Sequence, residues 1–217
     1  MKNLLTKELR LTATILSYLF ILFAVMTLIP GYPILVGAFF ICLGIFYSFQ
    51  LGRENNDILF TVLLPVEKSD AVRAKYLFTV FIQAAGFVLA FILTIIRLAA
   101  LSKAPVYMTN PMMNANPAYL GWMLIVFTLF NTVFLGGFFK TAFNFGKPFV
   151  LFCIISFIWI VIVETLHHIP ELTWLNDTAA LTDGRHWAIL AVCLIIYVLV
   201  TWLSCKKSIK RFDEVDL

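Results

Sequence analysis

The chain has 217 residues, of which 62% are hydrophobic and only 13% charged, with a formal net charge of +4; its mean hydropathy is +0.96. A water-soluble domain of this length carries about a quarter charged residues, so the composition excludes an ordinary soluble enzyme and makes lipid the main solvent. The small basic excess is a matter of membrane topology rather than of nucleic-acid binding, as the placement of the lysines and arginines shows below.

In chain order, the opening MKNLLTKELRL sets Leu4, Leu5 and Leu9 beside Lys2, Lys7, Glu8 and Arg10. It suits either a short amphipathic helix on the inner membrane surface or a charged flank that anchors the first span. About 20 helical residues cross a hydrocarbon core of about 30 Å. The apolar runs that meet this length are Leu11–Ile29, Ile34–Leu51, Leu77–Ile96, Ala118–Phe139, Phe149–Leu166 and Trp187–Cys205. Backbone groups in lipid pair within their own segment, and no run alternates in polarity, so the expected fold is all-α with six transmembrane helices in one domain, 1–217. The first run is too long for a signal-peptide core, lacks a small-residue cleavage site, and is followed at once by a second run.

Between the first two spans, PGYP (Pro30–Pro33) reads as a tight turn. The connection 52–75 is different. From Arg53 to Lys75 it holds eight charged residues. Asn55, Asn56 and Asp57 are N-cap candidates for a short element from about Ile58 to Leu64, which Pro65 ends. That element is apolar nearly all round and needs a cover. Ser69 and Asp70 then open a helix expected to run to Ile96, about 40 Å long, which carries the third span beyond the membrane. Either this is a solvated hairpin on the headgroups, or a docking element tied rigidly to a transmembrane helix.

Further on, the connection Ser102–Pro117 is rich in Asn, Met and Pro, and His167–His186 has room for a short helix. Glu164, His167, His168 and Glu171 cluster at one end of the fifth span, out of H-E-x-x-H order, and read as interfacial residues rather than a metal or protease site. Glu164 is expected to pair with Arg97. Gln83, Asn131, Thr132 and Asn144 are polar positions that would line a pathway or a dimer seam, or make ordinary helix–helix hydrogen bonds. Gly136-Gly137 allows close helix approach. The four cysteines, Cys42, Cys153, Cys193 and Cys205, fall inside spans and read as small apolar residues.

Alternate assignment of the connections puts thirteen Lys and Arg on one side. On the other lie only Arg97, Lys103 and Arg185. By the positive-inside rule both termini and the loop 52–75 are cytoplasmic. Tyr47 and Tyr76 fall near the inner interface, and Trp122, Trp174 and Trp187 near the outer one. The only Gly-Lys pair, Gly146-Lys147, precedes Pro148 and has no glycine five residues before it, so there is no P-loop to hold ATP.

RENNDILFTVLLPVEKSDAVRAKY, with KEL at Lys7–Leu9, PGYP, and FFICLGIFYSFQ in the second span, resembles the ABC type-2 exporter permeases. The similarity is to the small six-span group that includes the phenol-soluble-modulin exporter of staphylococci. It implies a coupling helix between spans two and three that docks on a separate ABC ATPase. There Arg53, Glu54, Asn55, Asn56 and Asp57 would be the polar contacts, and Ile58, Phe60 and Leu63 the apolar plug. It further implies a homodimer in a bacterial plasma membrane, ATP and Mg on the partner and no cofactor or metal on this chain, and amphipathic peptide cargo. Two other classes are an ATP-independent peptide-binding or immunity protein, and a membrane-embedded hydrolase using Glu164 and the histidines.

Overall fold

A computed structural model describes residues 2–141, 144–177 and 181–215. All regular elements among them are helical. Five helices are long and apolar enough to cross a membrane, and the pair Asn3–Thr12 and Ile15–Leu28, bent by 95°, is a sixth if taken together as one broken span. Helix α1 (Lys2–Lys7) passes into a π-helical turn, Glu8–Thr12. The chain then turns by 95° into α2 (Ile15–Leu28). Thr14 makes the corner: its backbone is extended and its side chain caps α2 by accepting from the Ser17 amide at 3.1 Å. The first span is thus shorter than the apolar run Leu11–Ile29. Phe20–Leu28 compensates by winding as a 3₁₀ helix, which rises about 2.0 Å per residue against 1.5 Å for an α-helix.

Gly31, at φ 70°, turns the chain back, and α3 (Val36–Glu54) packs against α2 so closely that glycine is required. A Cβ on Gly44 would lie 2.7 Å from Phe20 Cβ, and one on Gly37 would lie 2.7 Å from the Phe23 carbonyl. Ser17 donates to the Gly44 carbonyl at 2.7 Å across the same seam. Gly44→Ala is therefore expected to force α2 outward and cost about 1–3 kcal/mol, read as a lower Tm in detergent.

Asn56, in the left-handed region at φ 53°, sets the corner before α4 (Asp57–Leu63). An Asn tolerates that conformation better than most residues. Its side chain makes no capping bond, unlike the N-cap role expected for it. Helix α5 (Lys68–Leu101) begins after Glu67, not at Ser69, whose hydroxyl instead bonds the Glu67 carboxylate at 3.0 Å. At 34 residues it is about 50 Å long and outreaches any hydrocarbon core. A short helix α6 (Pro105–Met108) lies in the following connection. Helix α7 (Pro117–Phe138) is the central post, capped by Asn116 and π-helical from Phe130 to Leu135. Helix α8 (Gly146–Leu166), a 3₁₀ turn (Pro170–Asn176) and α9 (Gly184–Asp213) complete the bundle.

The core is a stack of phenylalanines where α3, α7 and α8 meet. Phe46 stacks on Phe149 at 3.7 Å between centroids, and Phe49 meets Phe138 edge-on at 5.1 Å. Ile154, Ile158 and Val161 on α8, and Ile195, Leu199 and Leu203 on α9, point outward and exposed. Those faces suit lipid. The chain is an all-α, multi-pass membrane protein. Helices α1 and α4, the start of α5 and the end of α9 gather at one pole, here the basic end.

Candidate functional site

At the basic end four charges from three elements converge. Lys75 on α5 donates to Glu8 Oε2 at 2.7 Å and to Asp57 Oδ2 at 2.6 Å. Lys7 pairs with Asp57 Oδ1 and with Glu8 Oε1, the latter at 3.1 Å. Its third proton reaches Thr61 Oγ1 at 2.6 Å, and that hydroxyl donates to the Asp57 carbonyl at 2.7 Å. Two ammoniums and two carboxylates cancel, so nothing is buried unpaired. The Lys75 and Glu8 side chains are only 6% and 2% exposed. At such burial each ion depends on its partners for the solvation it has lost. Burial alone would raise the Asp57 carboxyl; the ammoniums of Lys75 and Lys7 outweigh it and hold it below its usual value. The clasp fixes α1, α4 and the foot of α5 to one another.

Local sequence explains the arrangement. Leu4 and Glu8 are one helical turn apart on the buried face of α1. Lys75 occupies a buried register of α5, with Val72 three before it and Thr79 four after it. A lysine at a core position is the signal for a buried partner, and it is visible once the helix is phased. Counted only for topology, Lys75, Lys7 and Glu8 escape notice.

From this clasp α4 projects its other face. Phe60 is 70% and Leu63 84% exposed, with Leu64 beside them. Ile58 packs partly against the core, so of the expected apolar plug Phe60 and Leu63 stand free and Ile58 is turned inward. Arg53, Glu54, Asn55 and Asn56 are exposed around them. Arg53 lies over the Phe145 ring at 4.9 Å, and Glu54 accepts from Gln50 at 3.3 Å. Asp57 is committed to the clasp.

The polar residues of the spans divide. Gln83 and Asn131, both fully buried, exchange two amide hydrogen bonds of 3.0 and 3.1 Å between α5 and α7. Asn131 also donates to Thr201 at 3.0 Å, and Tyr197 donates to Gln83 at 2.9 Å, which ties in α9. The Asn131 carbonyl, in the π-helical turn, accepts from Ser204 at 2.8 Å and from Tyr76 at 3.2 Å. These groups hold three helices together within the chain. Thr132 bonds back to the Thr128 carbonyl at 2.9 Å, and Asn144 is exposed near Arg53 and Lys147. Asn131→Leu is expected to strand the Gln83 amide and cost about 1–2 kcal/mol, checked by thermal unfolding beside Thr132→Val, which should cost less.

At the opposite end the expected Arg97–Glu164 pair does not form. Arg97, 2% exposed, donates to the Thr27 carbonyl at 2.6 Å and to Asn114 at 2.7 Å, and lies over Tyr107 at 4.3 Å. Glu164 instead accepts the Met113 amide at 3.0 Å, and His167 Nε2–H donates to the Pro111 carbonyl at 3.3 Å. Asn114 bonds Asn176 through its amide at 2.6 Å, and Asn116 reaches the Leu175 carbonyl at 2.7 Å. Asparagines thus staple the two connections into a cap over the bundle. Among the described residues no group of three or more His, Cys, Asp or Glu side chains is arranged to hold a metal ion.

No curated protein and no solved structure matches the chain. A family model described as ABC-2 family transporter protein matches residues 3–213. That match runs from α1 through the six spans to the end of α9, so the chain belongs to the ABC-2 family of transporter membrane proteins.

Proposed function

We propose that the chain is the membrane subunit of an ATP-driven exporter and that α4 is the element through which a cytoplasmic ABC ATPase moves it. One observation carries the reading: a short helix with an exposed apolar tip is rigidly clasped, through buried ion pairs, to both an N-terminal surface helix and the longest transmembrane helix. An apolar tip in water serves a partner that covers it. A clasp at its base makes any push on that tip a push on α5 and α1 together. The charge asymmetry supports a cytoplasmic position for this end and for both termini; the bacterial plasma membrane follows the resemblance.

In the cycle, two ATPase subunits holding ATP and Mg²⁺ close on each other beneath two copies of this chain. Their motion displaces Phe60 and Leu63. Through Asp57, Lys75 and Glu8 it tilts α5, and α7 and α9 follow because Gln83 and Asn131 link them. The asparagine-stapled cap closes the outer end until the bundles part. Export, and amphipathic peptides as cargo, follow the resemblance in the 39–76 region. The test is co-purification with the product of any P-loop ATPase gene adjacent to this one. A stable complex whose ATP hydrolysis rises with amphipathic peptide supports the reading. Absence of any complex overturns it.

A further inference from the structure

A groove of about 460 Å³ runs along the flank between α5 and α9, away from the α4 tip. Arg73, Leu77 and Val80 line it from α5 at helical spacing, and Val198, Trp202 and Lys206 from α9. Its walls are apolar along the spans, and its two cations sit together at the basic end. Arg73 is half-exposed, and among the described residues its one carboxylate partner is Asp70 at 3.2 Å. The Lys206 ammonium rests 3.7 Å from the Trp202 ring centroid, and among the described residues no carboxylate pairs with it. Trp202 is itself 54% exposed.

We propose that this groove binds one anionic phospholipid from the leaflet at the basic end, its phosphate between Arg73 and Lys206 and an acyl chain against Leu77, Val80 and Val198. Each part of the lipid meets its own chemistry. Trp prefers the headgroup level, interfacial Lys and Arg attract acidic lipid, and the groove beyond them is mostly apolar. A free phosphate would leave the apolar walls unused. The site lies outside the coupling machinery, and its test stands whether or not an ATPase binds.

The experiment uses the full chain in detergent, titrated with dibromo-acyl phosphatidylglycerol or phosphatidylcholine. Quenching of Trp202 is obtained as the difference between wild type and Trp202→Phe. Half-saturation with phosphatidylglycerol is expected at a concentration about five- to thirtyfold lower, the order expected for one or two interfacial cations. Arg73→Gln/Lys206→Gln should bring the two lipids level, while Lys207→Gln should keep the preference. Equal quenching of wild type by both lipids makes the groove ordinary annular surface and overturns the proposal. So does full competition by inorganic phosphate, which would mark a simple anion site. Absence of quenching by either lipid means that protein covers the groove, with the same consequence.

Discussion

Phe60→Asp/Leu63→Asp is expected to abolish the complex with the ATPase while leaving the chain folded. Both side chains already stand in water, 70% and 84% exposed, so neither substitution removes packing within the chain. At an interface, apolar anchors of this kind are worth about 2 kcal/mol each, and a carboxylate in their place adds a buried charge. The two are neighbours and do not add fully. Weakening of at least about a hundredfold is expected, beyond what co-purification survives. An unchanged elution profile and Tm would separate lost docking from lost fold. Glu54→Lys, at the polar edge, should act more mildly, shifting the salt dependence of association.

Lys75→Ala is expected to have the largest effect on the chain itself. It leaves Glu8 and Asp57 to share the single ammonium of Lys7, one negative charge in excess, in a site where Glu8 is 2% exposed. Removing one partner of a buried ion pair costs about 3–5 kcal/mol, because the charge left behind has no water. The loss should be local: α1 and α4 detach while the helical core persists, read as faster hydrogen exchange in residues 2–12 and 57–63. Lys75→Met/Glu8→Gln should be milder than Lys75→Ala, since the charges leave as a pair. If the double variant is no better, the clasp does not act as a neutral unit. A pH scan checks the same electrostatics. Asp57 has a depressed folded-state pKa, so its contribution is complete above its ordinary value of 3.8 and is lost as the pH falls through the lower folded value. The docking of α1 should hold at pH 5 and yield only below the usual carboxylate range, where pepsin would gain access to buried Leu4.

Long apolar periods dominate this sequence, and whatever follows from them was readable in advance. The all-helical fold, the tight PGYP turn and the short element ended by Pro65 rest on local signals; five of the apolar runs lie within or beside long helices, and the first is broken by the corner at Thr14. The misplacements have specific physical causes. Helix α5 continues past Ile96 because a π-helical turn, Arg97–Leu101, carries no sequence signature of its own. Arg97 and Glu164 both fall at the same end of their apolar runs, yet that fixes no azimuth, and the Thr27 carbonyl and Asn114 take the guanidinium instead. Asp57 reads as a surface acid because its ammonium partners, Lys75 and Lys7, lie far from it in the chain. Lys75 hid for the opposite reason. Its charge was counted for topology, whereas its register on α5 marks it as buried.

The most direct measurement of the coupling role places the photo-cross-linker benzoylphenylalanine at Leu63 in cells, with Leu151, exposed on the apolar outer face of α8, as control. The account predicts a covalent adduct between position 63 and a P-loop ATPase subunit, and only lipid adducts from position 151. Adducts of position 63 with lipid alone, or with no ATPase, would contradict it.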